Sequence, residues 1–194
     1  LVSPFLNLEG GAARAMPERV LALVASGGHS SWYLCLDGRP QRLGRTRDDA
    51  AGESFDKVAQ VLGLPYPGGP EVDRLARRGE ASAVRLPRPR LADAPHDFSF
   101  SGLKSAAIRH IREEGLAGVG EDAPPRAVLD LLASFELAVV DQLLGPAAEL
   151  VDEHRPDVIT VSGGVAANTL LRERVASLGE ATGVDVVLPP LALT

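Results

Sequence analysis

Two short apolar runs, each emptying into a serine and a pair of glycines, constrain this chain most. Val20 to Ser26 reads VLALVAS and is followed by Gly27-Gly28; Val158 to Val161 reads VITV and is followed by Ser162, Gly163 and Gly164. Compact apolar runs of this length are buried strands, and glycine after a strand turns the chain with its backbone bare. Trp32 to Leu36 is a further strand, Asp37-Gly38 a hairpin signal and Arg42 to Arg45 its return. Val184 to Leu188 reads as the last strand, closed off by Pro189-Pro190.

Between these strands the period changes to that of helices. A helix opens at Asp48, with Asp48 or Asp49 as its cap, carries the stripe Ala50, Phe55, Val58, Ala59 and Leu62, and ends at Gly63. Pro65 to Pro70 (PYPGGP) reads as a rigid loop, Glu71 to Arg78 as a short helix and Ala81 to Pro95 as loop. Another helix is expected from Leu103 to Glu114. A long one starts at Pro124-Pro125 and runs to about Glu153, with a kink at Gly145-Pro146. Ala166 to Leu178 completes the set. Strands alternating with helices make the class α/β.

The formal net charge is -6, so a grip on nucleic acid would need a local basic patch or a partner to supply the positive field. Cys35 is the only cysteine, which excludes an internal disulfide and a cysteine-based zinc site and fits a reducing, cytoplasmic setting. No apolar run reaches the length of a membrane span. The opening LVSPFLNLEGG lacks the pattern of a signal peptide, and the missing initiator Met points to a start further upstream.

Three glycine pairs are candidate ligand sites: Ala25 to Ser30 (ASGGHS), Tyr66 to Pro70 (YPGGP) and Val161 to Asn168 (VSGGVAAN). Any one of them serves plain sterics equally well; two after buried strands favour a nucleotide. In the third, free N–H groups at the helix start would face an anion, and the Asn168 amide would reach a ribose or base from the first turn. DDAAGESFDK, Asp48 to Lys57, groups Asp49, Glu53, Asp56 and Lys57 on adjacent turns, either as a ligand wall or as a surface pair Glu53–Lys57. Lys104, near a helix start in FSFSGLKS, would meet a phosphate or carboxylate, or simply be solvated. Of the histidines only His29 lies near a plausible site, and none has metal-ligand spacing.

VASGGHSS, DDAAGESFDKVAQVLGLPYPGGP, FSFSGLKSA and VSGGVAANTLLRERV resemble the sequential motifs of the tRNA threonylcarbamoyladenosine transferase (TsaD/Gcp) family. They occur in that family's order, from about Asn7 to Thr194. The resemblance implies the actin-like ATPase fold shared by actin, Hsp70 and sugar kinases. Here it would comprise the second lobe with parts of the first. Residues 1–45 would be a remnant of the first lobe with the glycine-turn strands. Residues 46–155 would be a mostly helical part of the second lobe, and 156–194 a strand-helix-strand nucleotide-binding part.

It also implies transfer of threonylcarbamoyl from threonylcarbamoyl-AMP to N6 of the adenine 3′ of the anticodon in tRNAs reading ANN codons. By motif match, Val24, Ala25, Ser26, Gly27, Gly28, Asp56, Gly69, Asp73 and Asn168 would contact the adenylate, an ATP-type nucleotide. Gly163 and Gly164 would flank its phosphate or ribose; His29, Glu53, Lys57 and Lys104 are additional candidates. Expected partners are tRNA, a catalytically silent paralogue and a small ATPase, with a homo- or heterodimer allowed and no membrane. The family's divalent metal, iron or zinc, sits on a His-x-x-x-His motif. Here the corresponding positions hold Asn7 and Gly11, and the third ligand, an Asp, would follow Thr194. On that ground this chain is expected to bind nucleotide weakly and transfer nothing. Alternatives from other classes are a non-catalytic scaffold of the same complex and an actin-like ATP-dependent kinase.

Overall fold

The computed structural model describes residues 17–120 and 122–193. Strands β1 (Arg19–Ala25), β2 (Ser30–Leu36) and β3 (Arg39–Arg45) form an antiparallel meander, turned at Asp37-Gly38 as expected. Helices α1 (Ala51–Leu62), α2 (Gly68–Ala76), α3 (Ser101–Glu113), α4 (Arg126–Leu144) and α5 (Ala147–His154) follow. The chain then returns as β4 (Val158–Ser162), a 3-10 turn (Gly164–Ala167), α6 (Thr169–Thr182) and β5 (Asp185–Val187). The sheet order is β3-β2-β1-β4-β5, with β1, β4 and β5 parallel. β1 and β4 thus lie side by side in one sheet although 132 positions separate Ala25 from Asp157. The Asn7 and Gly11 positions lie outside the described residues.

Strand alternation explains the layering. Leu21, Leu23 and Ala25 of β1 join Trp32 and the helices in the main core, while Val20 and Ala22 turn to the other face with Cys35 and Val158. The Trp32 indole N–H donates to the Leu143 carbonyl at 2.9 Å and ties β2 to the end of α4. In α4, Leu131, Leu132, Phe135, Val139 and Leu143 are fully buried, and Phe135 meets Phe55 of α1 edge to face with centroids 5.6 Å apart. Each such aromatic adds roughly 2–3 kcal/mol of apolar burial. The expected kink at Gly145-Pro146 is a full break between α4 and α5. Pro146 has no N–H to continue the ladder.

Two helix starts differ from expectation for one reason. Asp48 does not cap α1, whose N-cap is Ala50. Instead Asp48 caps α3. Its carboxylate accepts from the Phe100 and Ser101 N–H groups at 2.8 and 3.2 Å and from the Ser99 and Ser101 hydroxyls at 2.7 Å each. Phe100, the local N-cap, has no side-chain acceptor of its own. Likewise α2 begins at Gly68 rather than Glu71, because Asp56 of α1 accepts the Gly68 N–H at 2.8 Å.

Partial burial alone would raise the Asp48 pKa, but the hydrogen bonds from residues 99–101 outweigh it and hold the carboxyl below its ordinary 3.8. A depressed carboxyl stabilises the fold above its unfolded value and loses that effect as pH falls. Asp48→Ala is therefore expected to lower stability at neutral pH by about 1 kcal/mol, the usual worth of a helix cap. The penalty should shrink only as the pH drops below 3.8. Urea unfolding of both proteins at neutral and acid pH checks it; a pH-independent penalty would contradict the capping role.

Candidate nucleotide site

The site grows out of the carboxyl ends of β1 and β4, neighbours in register at Val24 and Ser162. Connections diverge from this point: β1 leads toward β2 and β3, β4 toward β5. Ligands of open α/β sheets favour such a crevice.

The first glycine turn is held by its own serine. The Ser26 N–H donates to the His29 carbonyl at 2.7 Å, and Ser26 Oγ accepts from the Gly28 and His29 N–H groups at 3.3 and 3.1 Å. Helix α1 is pressed against this turn. Gly52 donates its N–H to the Ser26 carbonyl at 3.1 Å, and a Cβ at Gly52 would lie 2.7 Å from Gly27 N. Gly27 and Gly28 themselves look into open space.

The third turn lies beside the first. Gly163 has φ +93°, and a Cβ there would stand 2.4 Å from the Ala25 carbonyl oxygen. Gly164 and Gly69 have open space where a side chain would go. The second turn opens α2 and borders a cleft of about 600 Å³ lined by Gly27, Glu53, Asp56, Lys57, Gln60 and Tyr66, among others.

The turn after Gly163 is a single 3-10 turn, so α6 starts only at Thr169, with Asn168 as N-cap rather than as a first-turn residue. The anion at this helix start is Asp73 of α2. It accepts from the Thr169 N–H at 2.8 Å and the Thr169 hydroxyl at 3.1 Å, and pairs with Arg77. Asn168 Oδ1 accepts from the Leu171 N–H at 2.8 Å, and its Nδ2 donates to Glu136 of α4 at 2.6 Å. Both ends of the amide expected to face a ligand are thus engaged inside the protein.

Residues 4–194 match the family model described as "TsaD: tRNA N6-adenosine threonylcarbamoyltransferase". The chain belongs to this family. Over its whole length it is 43% identical to the tRNA N6-adenosine threonylcarbamoyltransferase of Pelobacter propionicus, covering 54% of that protein. Over 92% of its length it is 46% identical to that of Moorella thermoacetica, covering 51%. Over 91% it is 45% identical to that of Geotalea uraniireducens, covering 50%. The chain thus spans about half the length of the curated relatives it matches.

Among solved structures it resembles full-length HypF in the phosphate- and nucleotide-bound form. The TM-score is 0.68 at 13% identity, over 96% of this chain and 38% of that one. HypF of T. kodakarensis gives 0.67 at 13%, over 97% and 32%. These likenesses concern the fold, which is the α/β actin-like ATPase fold of the TsaD family.

In this TsaD-family chain the expected residues fall into three groups. Gly27, Glu53, Asp56 and Lys57 share the cleft. Asp73 and Asn168 share the start of α6, where both are 8% exposed. Val24, Ala25, Ser26, Gly28, Gly163, Gly164 and the exposed His29 form the two adjoining turns. Gly69 stands in the first turn of α2. Lys104 is in neither the cleft nor the turns: it pairs with Asp49 at 2.5 Å and clamps α3 to the start of α1.

Sequence reading did not point to Glu136, 4% exposed beneath Asn168, whereas Tyr66 of the YPGGP candidate stands 85% exposed on the cleft rim. The signal for Glu136 was present: an ionisable residue one turn from the buried Leu132 and Val140. Among the described residues no group of three or more His, Cys, Asp or Glu is placed to hold a metal ion. Asn7 and Gly11, which the resemblance sets against the family's metal ligands, lie outside the described residues.

Proposed function

We propose that this protein takes part in tRNA modification, the transfer of threonylcarbamoyl from threonylcarbamoyl-AMP to N6 of the adenine 3′ of the anticodon in tRNAs reading ANN codons, and that this chain, with Asn7 and Gly11 where the resemblance expects metal ligands, contributes nucleotide binding to it. The observation that carries the reading is the convergence of bare glycines, Gly27, Gly28 and Gly164, at the paired ends of β1 and β4, with Gly69 opening α2. Open space at these positions lets a nucleotide approach the backbone. Nothing in a scaffold role requires it.

In this reading the adenylate lies against the two turns, with Asp56, Asp73 and Asn168 ordering the backbone around it. The adenine amine attacks the carbamoyl carbon, the bond from that carbon to the phosphate oxygen breaks, AMP leaves and the amine gives up a proton. With a net charge of -6 the chain leaves much of the positive field for tRNA to its partners, a silent paralogue and a small ATPase. The setting is the cytoplasm, and no helix among the described residues is long and apolar enough to cross a membrane.

Gly28→Val puts its Cβ where no protein atom lies within 4 Å and sends its methyl groups into the open space. It is expected to weaken AMP binding at least about tenfold with an unchanged melting temperature. With the full protein and its partner subunits it should lower modified adenosine in tRNA, read by nucleoside mass spectrometry. Undiminished AMP affinity in the variant would remove the nucleotide site from these turns.

A further inference from the structure

Helix α4 is buried along most of its length, and Glu136 is the ionisable side chain in its fully buried middle. A charge there is costly unless paired. On one side Glu136 Oε1 accepts the Asn168 amide at 2.6 Å. On the other, Asp73 holds Thr169, the residue next to Asn168, so the two carboxyls grip neighbouring residues of one helix start. Asp73 is already the acceptor for the Thr169 N–H and hydroxyl and the partner of Arg77.

Two ionised carboxyls this close and this buried would repel each other. A protonated Glu136 resolves the conflict. A neutral acid has an O–H to offer the Asp73 side while the oxygen facing Asn168 goes on accepting. Burial, and then the neighbouring Asp73, push the Glu136 pKa up to about 8, against the Asn168 amide and the Arg77 guanidinium. Asp73 and Arg77 face it from α2; on α6, Glu173 acts on Arg77.

We propose that Glu136 is a positioning residue: as a neutral acid it bridges Asp73 on α2 to Asn168 at the head of α6. It thereby holds Asp73 and Asn168 where they order the backbone around the nucleotide, and in this respect the inference rests on the function proposed above. Loss of the proton detaches α4 from the α2–α6 junction and loosens the nucleotide contacts.

The bridge and the nucleotide can be read separately. Amide NMR of the full chain follows the Thr169 and Leu171 N–H groups and the Asn168 side-chain amide against pH. Wild type should show a common midpoint near 8, and Glu136→Gln, which keeps both hydrogen bonds without titrating, should show none. AMP affinity should fall about tenfold across that midpoint in wild type and stay level in Glu136→Gln. Glu136→Leu, apolar and of similar volume, should bind AMP about tenfold more weakly at every pH. No midpoint in wild type, or the same midpoint in Glu136→Gln, overturns the bridge. Full AMP affinity in Glu136→Leu overturns the positioning role. A midpoint with no AMP binding in wild type upholds the bridge and sinks the nucleotide reading instead.

Discussion

Gly163→Ala is expected to destabilise the fold by about 3 kcal/mol or more, from a backbone clash and a forbidden dihedral together. Gly163 holds φ +93° and ψ 168°, a region essentially reserved for glycine. An added Cβ would also stand 2.4 Å from the Ala25 carbonyl oxygen and 2.9 Å from its carbon. Neither atom can yield, because Ala25 is paired within β1. Gly164→Ala is the control, since its Cβ would meet nothing within 4 Å, and it should change stability by less than about 1 kcal/mol. Urea denaturation of the two variants side by side decides the matter. Equal losses would mean that the turn moves freely and that the close approach of the two strand ends is not structurally enforced.

Glu136→Gln should do the opposite and stabilise the protein, but only above acid pH. The Glu136 pKa is raised from 4.5 to about 8, chiefly by burial. Below 4.5 the carboxyl is neutral in both folded and unfolded chains, so wild type and variant should be equally stable there. As pH rises from 4.5 toward 8 the unfolded chain releases this proton while the folded one retains it, and wild-type stability falls. Above 8 both states are ionised and the gap becomes constant. At its full extent the variant's advantage is on the order of 5 kcal/mol, because each tenfold gain in proton affinity on folding corresponds to about 1.4 kcal/mol. Melting temperatures across the range test it. A constant difference between the two proteins from acid to alkaline pH would show that Glu136 does not carry the proton.

Much of the fold was legible from local pattern. The apolar runs of β1 and β4, the hairpin at Asp37-Gly38 and the stripe of α1 ending at Gly63 all follow from neighbours a few positions apart. The failures share the opposite property. Asp48 was expected to cap α1 and instead caps α3, and PYPGGP was expected to be loop although α2 begins inside it at Gly68. In each case the carboxylate that fixes the helix start comes from another element, Asp48 from 52 positions before Phe100 and Asp56 from the preceding helix, 12 positions before Gly68. The site followed the same division. Bare glycines after strands are visible in sequence, whereas Asn168 was expected to reach outward to a ligand and is claimed from within by Glu136. That pairing joins α4 to α6 across the core. Nothing but a carboxylate among the apolar residues in the middle of α4 hinted at it.

The sheet order has a consequence for how the molecule comes to exist. β1, β2 and β3 can zip up locally, as neighbours along the chain. The β1–β4 edge must close a loop in which Arg19 meets Asp157, 138 positions away. Contacts of such sequence separation form late, because chain entropy opposes them until the intervening helices have condensed. The crevice between the two strand ends is accordingly among the last features to assemble. On a ribosome, β1 leaves the exit tunnel long before β4 and waits with one hydrogen-bonding edge bare, the kind of edge on which chains stick to one another. Any ligand seated across that crevice would hold closed the pairing that was slowest to arrive.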